Sequence, residues 1–281
     1  MTLRMTLATL TLGAALAAGI AHAAPVVDVV KRADVDFIPL NPARGDASPK
    51  AGVLWGDIRK DVPSGALITF ADGFASPPHI HNITYRAVVI NGTVHNDDPE
   101  AENFWMGPGS FWTQPAGEVH ITSVGPGGGT AFLEILSGPY LVRPSRQAFD
   151  NGERPVNIEE RNVVWLDSSD VAWVDHGEGP DGPEMAFLWG TPAEGELNGT
   201  FVKLPQGFAG VLKTGGVPIK AVLVKGRVVH DSGSASDAET LEAGSYFGSE
   251  GDVAHNLTCG EDGDCVIYVR AEGKYQVVDA N

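Results

Sequence analysis

Three imidazoles in this chain are spaced to meet on one metal ion. His79 and His81 lie two residues apart in Gly73-Phe-Ala-Ser-Pro-Pro-His79-Ile-His81-Asn-Ile-Thr-Tyr85, and His120 ends Pro115-Ala-Gly117-Glu-Val-His120. On a β-strand, residues i and i+2 point to the same face, so His79 and His81 can act together. His120 comes from a separate segment that ends in a Pro/Gly turn. Two ligands from one strand and one from its neighbour make a facial set that leaves coordination positions open. Open positions are what a metal needs for chemistry rather than for holding a fold. Imidazole ligation alone does not choose among iron, zinc, manganese, nickel and copper.

Other residues near these histidines could handle protons. Tyr85 has two functional readings, as a phenolate ligand or as a phenol that hydrogen-bonds a metal-bound water or substrate. Its bland alternative is a barrel aromatic with a satisfied hydroxyl. Glu134 interrupts the apolar run Ala131-Phe-Leu-Glu-Ile-Leu136. Facing inward it would be costly to bury alone and would read as a general base, a ligand or a ligand's partner; facing outward it is a solvated strand residue. His95 and His230 read as loop histidines of the same kind, and His176 as a solvated one. Trp105, Phe111, Trp112 and Gln114 surround the second histidine segment. Most of these aromatics belong to core, with one or two lining a small-molecule cavity.

The elements that position these residues repeat. At an offset of 134, Asp36 matches Asp170, Trp55-Gly56 matches Trp189-Gly190, Gly73-Phe74-Ala75 matches Gly207-Phe208-Ala209, and Gly92 matches Gly226. At 135, Gly109-Ser110-Phe111 matches Gly244-Ser245-Tyr246, His120 matches His255, and Glu134 falls on Val269. Two tandem copies of one β-domain follow. The first copy reads as strands at 52–55, 66–70, 84–90, 110–114 and 130–136, with Asn91-Gly92 as a hairpin turn. Glycine is frequent (35 residues) and long helix-periodic stretches are absent, as in an all-β chain rich in turns.

Residues 1–23 read as an export signal: Arg4, an apolar run from Leu7 to Ile20, then Ala21-His22-Ala23. Cleavage would leave a protein in the periplasm or secreted. The organisation is then signal 1–23, a first domain 24–145 with the metal site, a connector 146–161 and a degenerate second domain 162–281. The formal net charge of −17 argues against nucleic-acid or anionic-membrane partners and says little about substrate. Cys259 and Cys265 bracket a short loop, and an oxidising compartment would let them pair as a structural disulfide.

These features together resemble the cupin superfamily. Gly73-x5-His79-x-His81-x3-Tyr85-x6-Gly92 is similar to the first cupin motif, and Gly109-x5-Pro115-x-Gly117-x2-His120 to the second. The overall pattern resembles exported two-cupin proteins without an assigned function, and is similar to the zinc-binding cupin of an anti-sigma factor. The resemblance implies two tandem double-stranded β-helix (jelly-roll) barrels and one divalent transition metal, iron or zinc, in the first. Tyr85 stands where the motif usually has Glu, which leaves a three-histidine site; three-histidine cupins include iron dioxygenases. In the second copy Lys213, Gly215 and Ile219 replace the ligand-position residues and only His255 survives. That barrel is expected to be metal-free. The implied functions are a small-molecule metalloenzyme, of dioxygenase or hydrolase/isomerase type, a non-catalytic binding or sensing module, or a storage or carbohydrate-binding bicupin. A small-molecule ligand and a homodimer fit the same resemblance.

Overall fold

The structure is a computed structural model that describes residues 26–175, 177, 181–233 and 238–280. Residues 1–23, read above as an export signal, and His176 lie outside the described residues. The regular structure of the described chain is almost entirely β-strand, arranged as two tandem jelly-roll barrels.

Each barrel has one long sheet. In the first, the order is Val156–Ile158, Phe111–Gln114, Tyr85–Asn91, Gly129–Ile135, Ser64–Phe70, Lys50–Trp55 and Ile38–Pro39. In the second it is Val26–Val30, Tyr246–Glu250, Ile219–Lys225, Cys265–Ala271, Asn198–Leu204 and Glu184–Gly190. These sheets pack on each other back to back. Alternation along each strand therefore feeds two cores rather than one core and solvent. Tyr85, Ala87 and Val89 face the first barrel's interior, and Val88 and Ile90 face the other repeat. The shared core joins Leu67, Val88, Phe111 and Phe132 to Phe201, Val222, Tyr246 and Tyr268. The strands Gly129–Ile135 and Cys265–Ala271 are accordingly buried along their whole length.

The first strand of each repeat crosses to the other barrel. Val26–Val30 pairs antiparallel with Tyr246–Glu250, and Val156–Ile158 pairs antiparallel with Phe111–Gln114. The exchange is reciprocal in detail. The Arg32 amide donates to Ser245 Oγ at 3.0 Å, and the Glu160 amide donates to Ser110 Oγ at 3.0 Å. The stretch read as a connector thus contains a strand of the first barrel, and the first domain's opening strand belongs to the second barrel's sheet.

Strand register corrects one correspondence. Arg86 and Lys220 are counterparts at offset 134, and they pair with Glu134 and Arg270 respectively. The residue equivalent to Glu134 is therefore Arg270, not Val269. Likewise Asn96 pairs with Thr122 while His230 pairs with Leu257. His230 therefore corresponds to Asn96 rather than to His95. Neither His95 nor His230 is a surface residue: they are 1% and 2% exposed. The loop before Trp105 closes over His95, whose Nδ1 accepts from the Phe104 amide at 3.2 Å.

Candidate metal centre

The ligand strand owes its position to two prolines. Isolated antiparallel bridges join Ala75 to Ser123 and His79 to His120. Between them one strand advances four residues and the other three, so the chain bulges by one residue at Pro77-Pro78. Proline has no amide hydrogen to give to a ladder, and a bulge re-aims the side chains that follow it. In the second barrel the counterpart strand Ala209–Lys213 keeps an unbroken register with Ala254–Cys259, which sets Leu212 opposite His255. In the first, His79 and His120 instead sit directly opposite and exchange both backbone hydrogen bonds, each 3.0 Å. The strand His79–His81 then pairs with Val142–Pro144.

His79, His81 and His120 are brought together. One ligating nitrogen from each lies within 4.8 Å of the others, and all three side chains are buried. The ring centroids of His79 and His120 are 4.2 Å apart. His79 Nδ1 donates to the Pro77 carbonyl at 2.9 Å, and His120 Nδ1 to the Glu118 carbonyl at 3.2 Å. Carbonyls only accept, so these contacts assign the proton to Nδ1 and leave Nε2 with its lone pair in both rings. The His120 Nε2 atom is buried with no hydrogen-bond partner. Burial pushes the pKa of His79 down and that of His81 well down, and carries His120 to about 3. Three buried neutral imidazoles, with a ligating nitrogen from each within 4.8 Å of the others, fit a divalent transition metal.

Tyr85 is placed beside the cluster, with its ring 5.1 Å from that of His81, but its hydroxyl is engaged elsewhere. It donates to Asn96 Oδ1 at 3.0 Å and receives Trp112 Nε1 at 3.4 Å. Thr122 Oγ1 also donates to Asn96 Oδ1, at 2.8 Å, and Asn96 Nδ2 donates to Gln114 Oε1 at 2.9 Å. Burial raises the phenol's pKa and keeps it protonated. The hydroxyl is thus satisfied within this buried network, as that of a barrel aromatic would be.

Glu134 is not brought to the histidines. It faces the opposite side of its strand, between the barrels, where it accepts from Tyr268 Oη at 2.7 Å. The residue that sequence reasoning missed is Tyr140. Its ring stacks on His81 at 4.4 Å, and its hydroxyl is 3.3 Å from His81 Nε2. It lies outside both motifs, although Gly138-x-Tyr140 is repeated as Gly273-x-Tyr275 at offset 135.

A cavity of about 700 Å³ reaches His79 and His81. Ile68, Phe70, Phe74, Trp112, Ala131 and Leu133 make most of its wall. In the second barrel both nitrogens of His255 are occupied, Nδ1 by His230 at 2.8 Å and Nε2 by Ser249 Oγ at 2.9 Å. Its interior is packed with Trp173, Phe208, Leu212, Phe247 and Tyr275. Among the described residues the only cluster suited to a metal is the one in the first barrel. Cys259 and Cys265 are joined as a disulfide.

Two β-barrels of this topology, one with a buried three-histidine cluster, define a metal-binding cupin of the two-barrel kind. Residues 28–278 match the family described as "Domain of unknown function (DUF4437)", and the chain belongs to it. No curated protein matches the sequence. Among solved structures, the chain is similar to a Nostoc punctiforme protein described as a "putative dioxygenase", with TM-score 0.66 and 13% identity over 88% of this chain and 83% of that one. AerE from Microcystis aeruginosa gives TM-score 0.54 and 11% identity over 84% and 96%. Bacillus subtilis oxalate decarboxylase, studied for its Mn(II) centres, gives TM-score 0.52 and 12% identity over 90% and 79%. At these identities the likeness is one of fold.

Proposed function

We propose that this chain is an exported, metal-dependent enzyme acting on a small, largely apolar molecule in the first barrel. The observation that carries the reading is a cluster of three neutral imidazoles, two of which, His79 and His81, line a largely apolar cavity of about 700 Å³. Cavities of this size hold drug-sized ligands. His79, His81 and His120 would hold the metal. Iron, zinc or, by analogy with the decarboxylase, manganese would supply Lewis-acid or redox chemistry when bound. Tyr140 lines the cavity with a hydroxyl that burial keeps protonated and that contacts His81 Nε2 at 3.3 Å, so it would position His81 and offer a hydrogen bond at the site. The Tyr85–Asn96–Thr122 network fixes the floor of the cavity, and the apolar wall excludes water. The reaction class that fits is a dioxygenase-like oxidation or a hydrolase- or isomerase-like conversion.

A second reading, a non-catalytic ligand-binding or sensing cupin, is favoured by one observation. No carboxylate lines the cavity, so no strong general base is at hand among the described residues. Metal analysis of protein isolated from its native compartment, beside a His79→Ala/His81→Ala variant, separates the readings. About one equivalent of iron, lost in the variant, directs the search to oxygen-consuming reactions. Zinc directs it to hydrolysis, isomerisation or sensing. Absence of metal with no uptake on reconstitution would sink the metalloenzyme.

A further inference from the structure

We infer that the ligand of this cavity is a small molecule with an apolar body and a single negative charge, a monocarboxylate, whose head is held at the mouth by Arg44. The inference rests on the proposed reading of the cavity as the ligand site, but not on the metal being catalytic.

The exposed lining of the cavity is Leu40, Asn41, Arg44, Pro77, Leu141 and Val142, and its buried lining includes His79 and His81. Between them the wall is aliphatic and aromatic. A ligand that fills it must be apolar along most of its length. The chain has 36 acidic residues against 19 basic ones, yet no carboxylate lines the cavity. The one side chain in the lining that is charged at every physiological pH is Arg44. A chain of net charge −17 repels anions at long range, so recognition of an anion has to be local. One guanidinium with no second cation in the lining matches one negative charge. Its planar fork suits a carboxylate held by two parallel hydrogen bonds.

The backbone of the turn that carries Arg44 is held in place. The turn Pro42–Ala47 is capped by Asn41, whose Oδ1 accepts from the Ala43 amide at 3.1 Å. The Asn41 amide donates to Ser48 Oγ at 2.9 Å and the Leu40 amide to the Pro49 carbonyl at 2.8 Å, closing the loop at its base. The guanidinium lies 5.5 Å from the Phe74 ring centroid, over the cavity wall. Among the described residues no carboxylate is ion-paired with it, while the acid of the same turn, Asp46, pairs with Lys50 at 3.7 Å. The donors of Arg44 are therefore free for a ligand.

The test is calorimetric titration of the full chain with octanoate and 3-phenylpropionate, each beside its neutral primary amide, with and without loaded zinc. Metal content is measured on the same samples. The carboxylates are expected to bind at least about tenfold more tightly than the amides, with an advantage that shrinks as salt rises. Arg44→Gln, which retains part of the stem over Phe74, should remove that advantage and leave amide binding unchanged; Arg44→Lys should keep part of it. Equal binding of acid and amide, carboxylate binding that ignores Arg44, or no binding of any probe overturns the inference. Carboxylate binding seen only with zinc and indifferent to Arg44 also overturns it, because the metal is then the anchor. Arg44-dependent binding without any metal uptake supports the inference while sinking the proposed metalloenzyme; metal uptake with a charge-blind cavity does the reverse.

Discussion

Tyr85 occupies the position where the first motif most often supplies a fourth ligand, and its surroundings decide what it does instead. Its hydroxyl has a committed acceptor in Asn96 and a donor in Trp112, both buried. Tyr85→Phe should therefore leave metal stoichiometry unchanged while costing about 1–2 kcal/mol of stability, since it strands buried polar partners. Loss of metal in that variant, read by elemental analysis, would restore the ligand reading. The imidazoles give a second residue-scale expectation. His120 titrates near 6.5 when unfolded and at about 3 when folded, chiefly because it is buried. Below pH 6.5 the unfolded chain takes up a proton that the folded chain refuses. Stability of the metal-free protein is thus present in full above that pH and is lost as pH falls toward 3. At pH 5 the His120 contribution is about 2 kcal/mol. Urea midpoints for wild type and His120→Gln at pH 8 and pH 5 check this: the variant's drop should be smaller by that amount. At this scale the clustering of the three histidines was legible from their spacing. Tyr140 and Asn96 were not, since each reaches the site from a segment outside the motifs, and their roles depend on strand pairing.

Which way a strand aims its side chains is settled by register, and here a proline pair resets it. The bulge at Pro77-Pro78 turns His79 to face His120, whereas the unbroken strand of the second barrel sets Leu212 against His255. The strands and the repeat could be read from alternation and turn residues, and so could the Cys259–Cys265 loop. The reciprocal exchange of first strands could not. Val26–Val30 and Val156–Ile158 look alike in sequence, and nothing local says which sheet edge either one covers. Deleting residues 26–30 should uncover the edge at Tyr246–Glu250 and lower the second barrel's stability without removing metal from the first. An uncovered edge also invites association between molecules, so light scattering should rise with the deletion. Retained dispersity and unchanged melting would show the arm to be dispensable. The disulfide closes a loop with a sequence separation of 6, and on loop-closure grounds its removal by Cys259→Ala/Cys265→Ala should cost about 2 kcal/mol. Metal content, measured alongside, should be unaffected.

The two barrels share one core, and at its centre the pseudo-symmetric pair Glu134 and Arg270 carry opposite charges. Phe132 and Tyr268, which stand in the same relation, have ring centroids 5.3 Å apart across the interface. The Tyr268 hydroxyl links the two halves: it donates to Glu134 and receives Trp189 Nε1 at 2.8 Å, while Arg86 lies 4.0 Å over the Trp189 ring. Burial raises the Glu134 pKa against the pull of Arg270, the Tyr268 hydrogen bond and Arg86. A sequence can announce Glu134 as an anomaly in an apolar strand but not say which of two cores it faces, because both faces of that strand are buried. The structure makes it a link between repeats, and that has a measurable consequence. Glu134→Ala leaves the buried Tyr268 hydroxyl without its acceptor and should cost about 2 kcal/mol; Glu134→Gln, whose amide oxygen still accepts, should cost less than half of that. Because the interface belongs to both barrels, the loss should shift a single unfolding transition. A double-mutant cycle with Tyr268→Phe should return a coupling of about 1 kcal/mol or more. Two separate transitions by calorimetry, with only one displaced by Glu134→Ala, would mean that the barrels fold independently and that the shared core is a contact rather than a joint fold.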